Sequence, residues 1–286
     1  MADLESALSL IESVAGASVL FVGETIRDVY THVTPLGRPS KEVVLSVQAV
    51  RDEAFNGGIR AAADCARSFV GDVSVWSDRI LTKHRFVDTA HSRKLFQVYE
   101  ETELTNDAAP IDLPETVVVI DYGHGMMNEE HISYIQGNAE FLAVNVQANS
   151  GNFGYNLATK YEDVNYLVVD ETEARLATLN QFGPIEASLE ELSAYAERVI
   201  ITLGREGAIG WQGGRIVRKE AFVGPVIDTI GAGDAFFAVT APMARYGSIY
   251  DLMLIGNAAG KLKTQVLGHR GTITKDALIA YLKANA

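Results

Sequence analysis

Asp228-Thr229-Ile230-Gly231-Ala232-Gly233-Asp234, running on into Ala235-Phe236-Phe237-Ala238, decides how this chain is read. The stretch couples a tight glycine-bearing turn to an apolar helix. Gly231 and Gly233 carry no Cβ, so an anion can approach the N–H groups of Gly231, Ala232 and Gly233. A helix starting here adds unpaired donors and the positive end of its dipole, and such a corner binds anions. Asp234 sets a carboxylate beside that site. A general base would sit there, taking a proton as negative charge builds nearby. The same residues also suit a helix N-cap aspartate with two structural glycines, because short glycine motifs are common.

The 286 residues suffice for one large α/β domain or two small ones. A net charge of −13 argues against nucleic acid as a partner, so an anionic ligand needs a local cluster of cations. The single cysteine, Cys65, excludes an internal disulfide and a cysteine-based zinc framework, and its small-residue setting reads as a buried thiol. No apolar run reaches the length of a membrane span, and Met1-Ala2-Asp3-Leu4-Glu5 lacks a basic signal-peptide start, so no membrane partner and a cytoplasmic location are expected.

Leu4, Leu8, Ile11 and Val14 predict an opening helix, and Ala17 to Val22 a buried strand. Glu24 and Asp28 follow that strand, where open α/β sheets bind ligands, so both are candidates for a polyol and equally for solvated loop acids. Tyr30 to Val33 and Val43 to Val47 flank the loop Pro35 to Lys41 and read as an excursion from the sheet. Asn56-Gly57-Gly58 opens a small-residue helix over 59–69, where the glycine pair permits close approach of a ligand or another backbone. Arg79 to Val87 and Leu95 to Tyr99 read as strands that complete a small β lid, with lid strands at about 29–50 and 79–101. Lys83 and Arg85, two apart and so on one face, are candidates for an anionic group on a substrate, or edge charges that deter aggregation.

From residue 115 the pattern is regular. Strands are expected at 116–120, 141–146, 166–169 and 199–203, with helices at 129–135, through 179, and at 189–197. A hairpin spans 208–217, long apolar helices run to Tyr246 and from Tyr250 to about Leu267, the loop Gly268 to Thr272 follows, and 275–284 is a last helix. Alternating strands and helices imply a largely parallel sheet covered on both faces. Asp170 and Glu173 suit a capping arrangement, and equally carboxylates facing the metal of a nucleotide.

These pieces together resemble the PfkB (ribokinase-like) family of sugar and nucleoside kinases. Asp228 to Asp234 is similar to its Asp-Thr-x-Gly-Ala-Gly-Asp signature at every fixed position. Thr202-Leu203-Gly204-Arg205-Glu206-Gly207-Ala208 resembles the family's Thr-Leu-Gly-x-x-Gly-Ala segment beside the nucleotide, Asp170-x-x-Glu173 its Asn-x-x-Glu, and Asn257 the asparagine of the helix bordering the nucleotide pocket. Within the family the likeness is to the heptose-7-phosphate kinase (ADP-heptose synthase) branch. It rests on Val22-Gly23-Glu24 through Asp28-Val29-Tyr30, Lys83-His84-Arg85-Phe86, and Ile120-Asp121-Tyr122-Gly123-His124-Gly125.

The resemblance implies one ribokinase-like three-layer α/β domain over 1–286, with a mostly parallel sheet and a β lid. It implies transfer from ATP with Mg2+ to a hydroxyl of a sugar or sugar phosphate. Asp234 would be the base, and Gly231, Ala232 and Gly233 the anion hole. Glu24, Asp28, Gly57 and Gly58 would line the acceptor site, with Lys83 and Arg85 on its phosphate. Asp170, Thr202, Gly204, Gly207, Thr229 and Asn257 would border the nucleotide, and Glu173 with Asp170 the metal. A homodimer through the lid is expected, since a short exposed sheet tends to be covered.

Several positions depart from the family. Ala61 replaces the asparagine of Gly-Gly-x-x-Asn, Glu24 an aspartate, Asp170 an asparagine and His124 a lysine, while 71–83 is short and lacks an expected helix and strand. A missing amide would cost about 1–3 kcal/mol per unpaired group, so a changed acceptor is implied, and Arg60 compensates if that acceptor is more anionic. A kinase of an uncharged sugar or nucleoside, and a nucleotide-binding protein without catalysis, stay open. A dinucleotide oxidoreductase is disfavoured, because the glycine motif lies outside a first βα turn.

Overall fold

The computed structural model describes residues 2–37, 42–91, 93–100, 102–105, 107–266 and 271–286; parts of the expected loops at 35–41 and 268–272 lie outside them. The N-terminal part comprises α1 (Ala2–Ser13), β1 (Ser18–Gly23), β2 (Thr25–Pro35), β3 (Val47–Gly58) and α2 (Ile59–Ala66). It continues through β4 (Asp72–Trp76), β5 (Arg79–Asp88), β6 (Arg93–Tyr99) and β7 (Glu103–Leu104). Then come β8 (Thr116–Asp121), α3 (Glu129–Asn138), β9 (Phe141–Val146), β10 (Tyr166–Asp170), α4 (Glu171–Ala177) and α5 (Ile185–Leu192). The chain closes with β11 (Arg198–Thr202), β12 (Ala208–Gln212), β13 (Arg215–Lys219), α6 (Ala232–Thr240), α7 (Ile249–Lys263) and α8 (Lys275–Asn285).

Eight strands form the main sheet in the order β13-β12-β11-β10-β9-β8-β1-β4, parallel from β11 to β4 with an antiparallel hairpin at the other edge. The run Thr116–Asp121 is buried at every position because both faces are covered. Its alternation sorts the core. Val118 and Ile120 join Phe236, Leu252 and other residues of α1, α2, α6, α7 and α8, whereas Val117 and Val119 join Ile135, Ala174 and Leu189 of α3, α4 and α5. The layers are helices, sheet, helices.

A second sheet runs β3-β2-β5-β6, with β7 beside β5. The strand expected at 43–47 instead begins at Val47 and continues to Gly58, held by an eleven-pair antiparallel register with β2. Its exposed, acid-bearing middle hides the period-two signal that marks a half-buried strand. The segment thought to lack a strand holds β4, the edge partner of β1. The helix expected at 189–197 starts earlier and stops at Leu192, and Ala196 bridges to Val164. The helix expected to reach Tyr246 gives way after Thr240 to a 3-10 turn containing Pro242, which has no N–H to continue the ladder. The next helix closes at Lys263, short of Leu267.

Candidate functional site

The entry to α6 is tied to the end of α7. Thr264 O accepts from Ile227 N–H (2.8 Å) and Asp228 N–H (3.2 Å), and Asp228 Oδ1 accepts from Ile230 N–H (3.1 Å). Gly231 then caps the helix at φ 75°, a conformation that strains any side chain. Among the described residues nothing accepts from the N–H groups of Gly231 and Gly233, while Ala232 N–H donates to Thr229 O at 3.3 Å. Two of the three expected donors are open, and the third is in a long bond.

This turn is a partition. On one side lies a cleft of about 880 Å3, lined by Thr229, Ala232 and Gly233 and by Asp170, Thr202, Gly204, Gly207 and Asn257. All six residues expected to border the nucleotide thus meet in one cleft. On the other side, Gly231 and Asp234 line a cavity of about 140 Å3 with Asn56, Ala61, Cys65 and Lys263. Asp234 sits in the first turn of α6, and Gln147, one residue beyond β9, donates its amide to Asp234 Oδ1.

The acceptor side differs more from expectation. Glu24 has no exposed surface, and its carboxylate accepts from the N–H groups of Tyr122 (3.1 Å), His124 (2.9 Å) and Met126 (3.2 Å). It therefore holds the 121–126 turn in shape and does not reach into a cleft. Asp28 is buried and paired with Arg85, whose guanidinium lies 5.4 Å from the Tyr30 ring centre. That pair spends the charge of Arg85 inside the second sheet. Gly57 and Gly58 are set by close approach: a Cβ would come within 2.5 Å of the side-chain oxygen Asp28 Oδ2 at the first and of the backbone oxygen Glu24 O at the second.

Lys83 is also buried, with its ammonium 5.2 Å from the Tyr99 ring centre. Burial lowers its pKa, against the opposing charges of Asp234 and Glu24. Burial first, and the Lys83 charge second, bring His124 down to about 4, so its imidazole is neutral at pH 7. His124 Nε2 and Tyr122 Oη are buried with no hydrogen-bond partner among the described residues. Buried polar atoms of this kind are rare in folded proteins unless something else satisfies them.

Asp170 and Glu173 form the capping box of α4: Asp170 Oδ1 accepts from Glu173 N–H (2.8 Å), and Glu173 Oε2 accepts from Asp170 N–H (2.7 Å). Glu173 Oε1 takes a further bond from Ala148 N–H at 3.0 Å. Both its oxygens are thus committed, and only Asp170 lines the large cleft. Among the described residues no cluster of three His, Cys, Asp or Glu could cage a metal. Burial, then the Asp170 charge, and lastly that of Asp234 raise the Glu173 carboxyl to about 8. Such raising of Glu173 marks an excess of negative charge that a nearby hydrated cation would relieve. The acids fit an ion held through water and phosphate, as Mg2+ is in nucleotide sites, and do not fit a cage.

Sequence reasoning missed Gln147, Lys261 and Lys263. The two lysines lie two apart near the end of α7 and so on different sides: Lys261 lines the large cleft and Lys263 the small cavity. Their signal was a pair of cations in an otherwise buried helix. They read as ordinary last-turn charges at a helix C-terminus.

The layered fold with its second sheet is ribokinase-like. It superposes on Arabidopsis thaliana ribokinase complexed with ribose and ATP at a TM-score of 0.69 and 15% identity, covering 94% of this chain and 99% of that one. Escherichia coli phosphofructokinase-2 in complex with fructose-6-phosphate gives 0.70 and 15%, covering 93% and 99%. A family model for pfkB family carbohydrate kinases matches residues 126–276, more than half of the chain, and the chain belongs to that family. A ribokinase of Lactococcus lactis is 33% identical over 113 residues, 39% of this chain and 36% of that protein. A 2-dehydro-3-deoxygalactonokinase of Haloferax volcanii is 29% identical over 126 residues, 43% and 39% respectively. The chain thus matches little more than a third of the length of these two relatives.

Proposed function

We propose that this chain is an ATP-dependent kinase that phosphorylates a hydroxyl of a sugar or sugar derivative. One observation carries the reading: the glycine turn separates the large cleft from the cavity that holds Asp234, and contributes walls to both. The nucleotide would occupy the cleft bordered by Thr202, Gly204, Gly207 and Asn257. Asp234 would accept the acceptor's hydroxyl proton, with its other oxygen steadied by Gln147. The N–H groups of Gly231 and Gly233 would meet the charge that develops on the transferred group. Mg2+ would supply counter-charge to the phosphates, with Asp170 the residue placed to hold its water.

His124 Nε2 and Tyr122 Oη would find their missing partners in acceptor hydroxyls, and Lys83 would meet an anionic substituent. A heptose-phosphate-like acceptor now rests on Lys83 alone, because Arg85 is given to Asp28. That pair favours a second reading, an uncharged sugar or nucleoside. The second sheet would act as a lid, and the whole chain as one domain. The test is Asp234→Asn assayed with ATP against sugars, sugar acids, sugar phosphates and nucleosides. Loss of about a hundredfold or more in kcat is expected. Turnover at the wild-type rate would remove Asp234 as the base, and Lys83→Ala separates charged from uncharged acceptors.

A further inference from the structure

Lys263 has no role in the scheme above, yet it is 7% exposed in a helix end that elsewhere packs on apolar neighbours. Its Nζ donates to Gly271 O at 2.9 Å. Its Cε stands 3.2 Å from where a Gly231 Cβ would be, so its stem lies directly beneath the left-handed residue of the turn. It shares the 140 Å3 cavity with Gly231 and Asp234. Burial lowers its pKa, against the opposing charges of Cys65 and of the carboxylates on both sides of the turn, Asp234 and Asp228. A buried ammonium is costly unless opposite charges and hydrogen bonds compensate it, and here they converge on one side chain.

We propose that Lys263 is a positioning residue that anchors the glycine turn from behind and supplies a fixed positive charge to the anion site on its other face. The Lys263 stem reaches Gly231, whose N–H donates to no partner among the described residues, while the ammonium is held just beyond by Gly271 O. A buried cation acts over several ångströms with less screening than one at a surface. It should matter most when negative charge on the bound group is greatest, and little for a nucleotide that leaves the site empty.

This rests on the anion-site half of the proposed function and not on the acceptor. The experiment is titration calorimetry in Mg2+ buffer with ADP alone and with ADP plus fluoroaluminate, a mimic of the transferring phosphoryl group. Wild type should bind the ADP–fluoroaluminate pair at least about tenfold more tightly than ADP. Lys263→Met should abolish most of that gain while ADP affinity stays within about threefold. Lys263→Gln, which keeps a polar tip, provides the same comparison if the Met variant does not fold. Equal weakening of both ligands would reduce Lys263 to a structural contact and overturn the proposal. So would an undiminished gain, or a wild type that shows none. A wild type that shows the gain but phosphorylates no sugar would refute the kinase reading and leave the role of Lys263 standing.

Discussion

A carboxylate removed from water holds its charge only as far as donors replace the lost hydration, and two glutamates here, both raised in pKa chiefly by burial, receive such donors from backbone N–H groups. Glu24 takes three, and Glu173 two. For Glu173 the donors do not offset burial and the Asp170 charge, and its carboxyl rises from 4.5 to about 8. An acid with a higher pKa when folded binds its proton more tightly in the native state. Its contribution to stability is therefore complete below pH 4.5 and is lost as pH rises through about 8. At roughly 1.4 kcal/mol per unit the ceiling is about 5 kcal/mol, and solvent relaxation makes 1–3 kcal/mol the working expectation. Urea denaturation at pH 5 and pH 8 should show Glu173→Gln flattening the wild-type slope. An unchanged slope in the variant would mean that Glu173 ionises alike in the native and unfolded states. None of this was legible in the sequence, where Asp170-x-x-Glu173 read equally as a capping box or a metal pair. Residue type and spacing are the same in both cases, and only the bonds to Ala148 and Asp170 distinguish them. The motif of Asp228 to Asp234 was legible, because its glycines and acid are fixed by local backbone demands.

The position of that corner is set by how α6 and α7 touch. Gly256 of α7 faces Phe236 of α6 so closely that a Cβ would come within 2.5 Å of two ring carbons. Phe236 is buried and also lines the large cleft, so the contact joins helix packing to the wall of that cleft. Gly→Ala in an exposed helix interior gains about 1 kcal/mol of helix propensity. In Gly256→Ala, overpacking at about 1–3 kcal/mol should outweigh it, since an aromatic ring between two helices has little room to move. The expected outcome is a lower Tm together with weaker ADP binding by calorimetry. A higher Tm would mean that the helices separate at no cost. At this scale the parallel strands from β8 to β11 were readable as continuous apolar runs. The second sheet was less so, since β3 pairs across its full length while carrying Asp52, Glu53 and Arg51 on an exposed surface. Pairing held by backbone bonds leaves little trace in side-chain pattern.

Across the whole molecule, the second sheet has one face that buries Lys83 and another on which Phe96 and Val98 are left to solvent. Alternation places His84 and Phe86 of β5 opposite Lys83 and Arg85, and the β5–β6 register sets Val98 and Phe96 beside them. Phe86 and Phe96 stack at 4.3 Å, while Phe96 and Val98 remain 39% and 45% exposed. Apolar groups gathered on a sheet face favour burial against a partner, and β-sheet edges add unpaired backbone groups that do the same. A second copy of the chain is the partner we expect, meeting this one face to face through the lid. Sedimentation equilibrium should then give twice the chain mass, and Phe96→Asp should shift the population to monomer, because a buried unpaired carboxylate is repeated on both copies. ADP affinity should be unchanged in that variant, since the cleft bordered by Thr202 and Asn257 contains no residue of β6. A wild type that sediments as a monomer would leave this face of the second sheet without a partner copy. The apolar face would then have to be kept from aggregating by the charges around it, such as Arg93 and Lys94 at the start of the same strand.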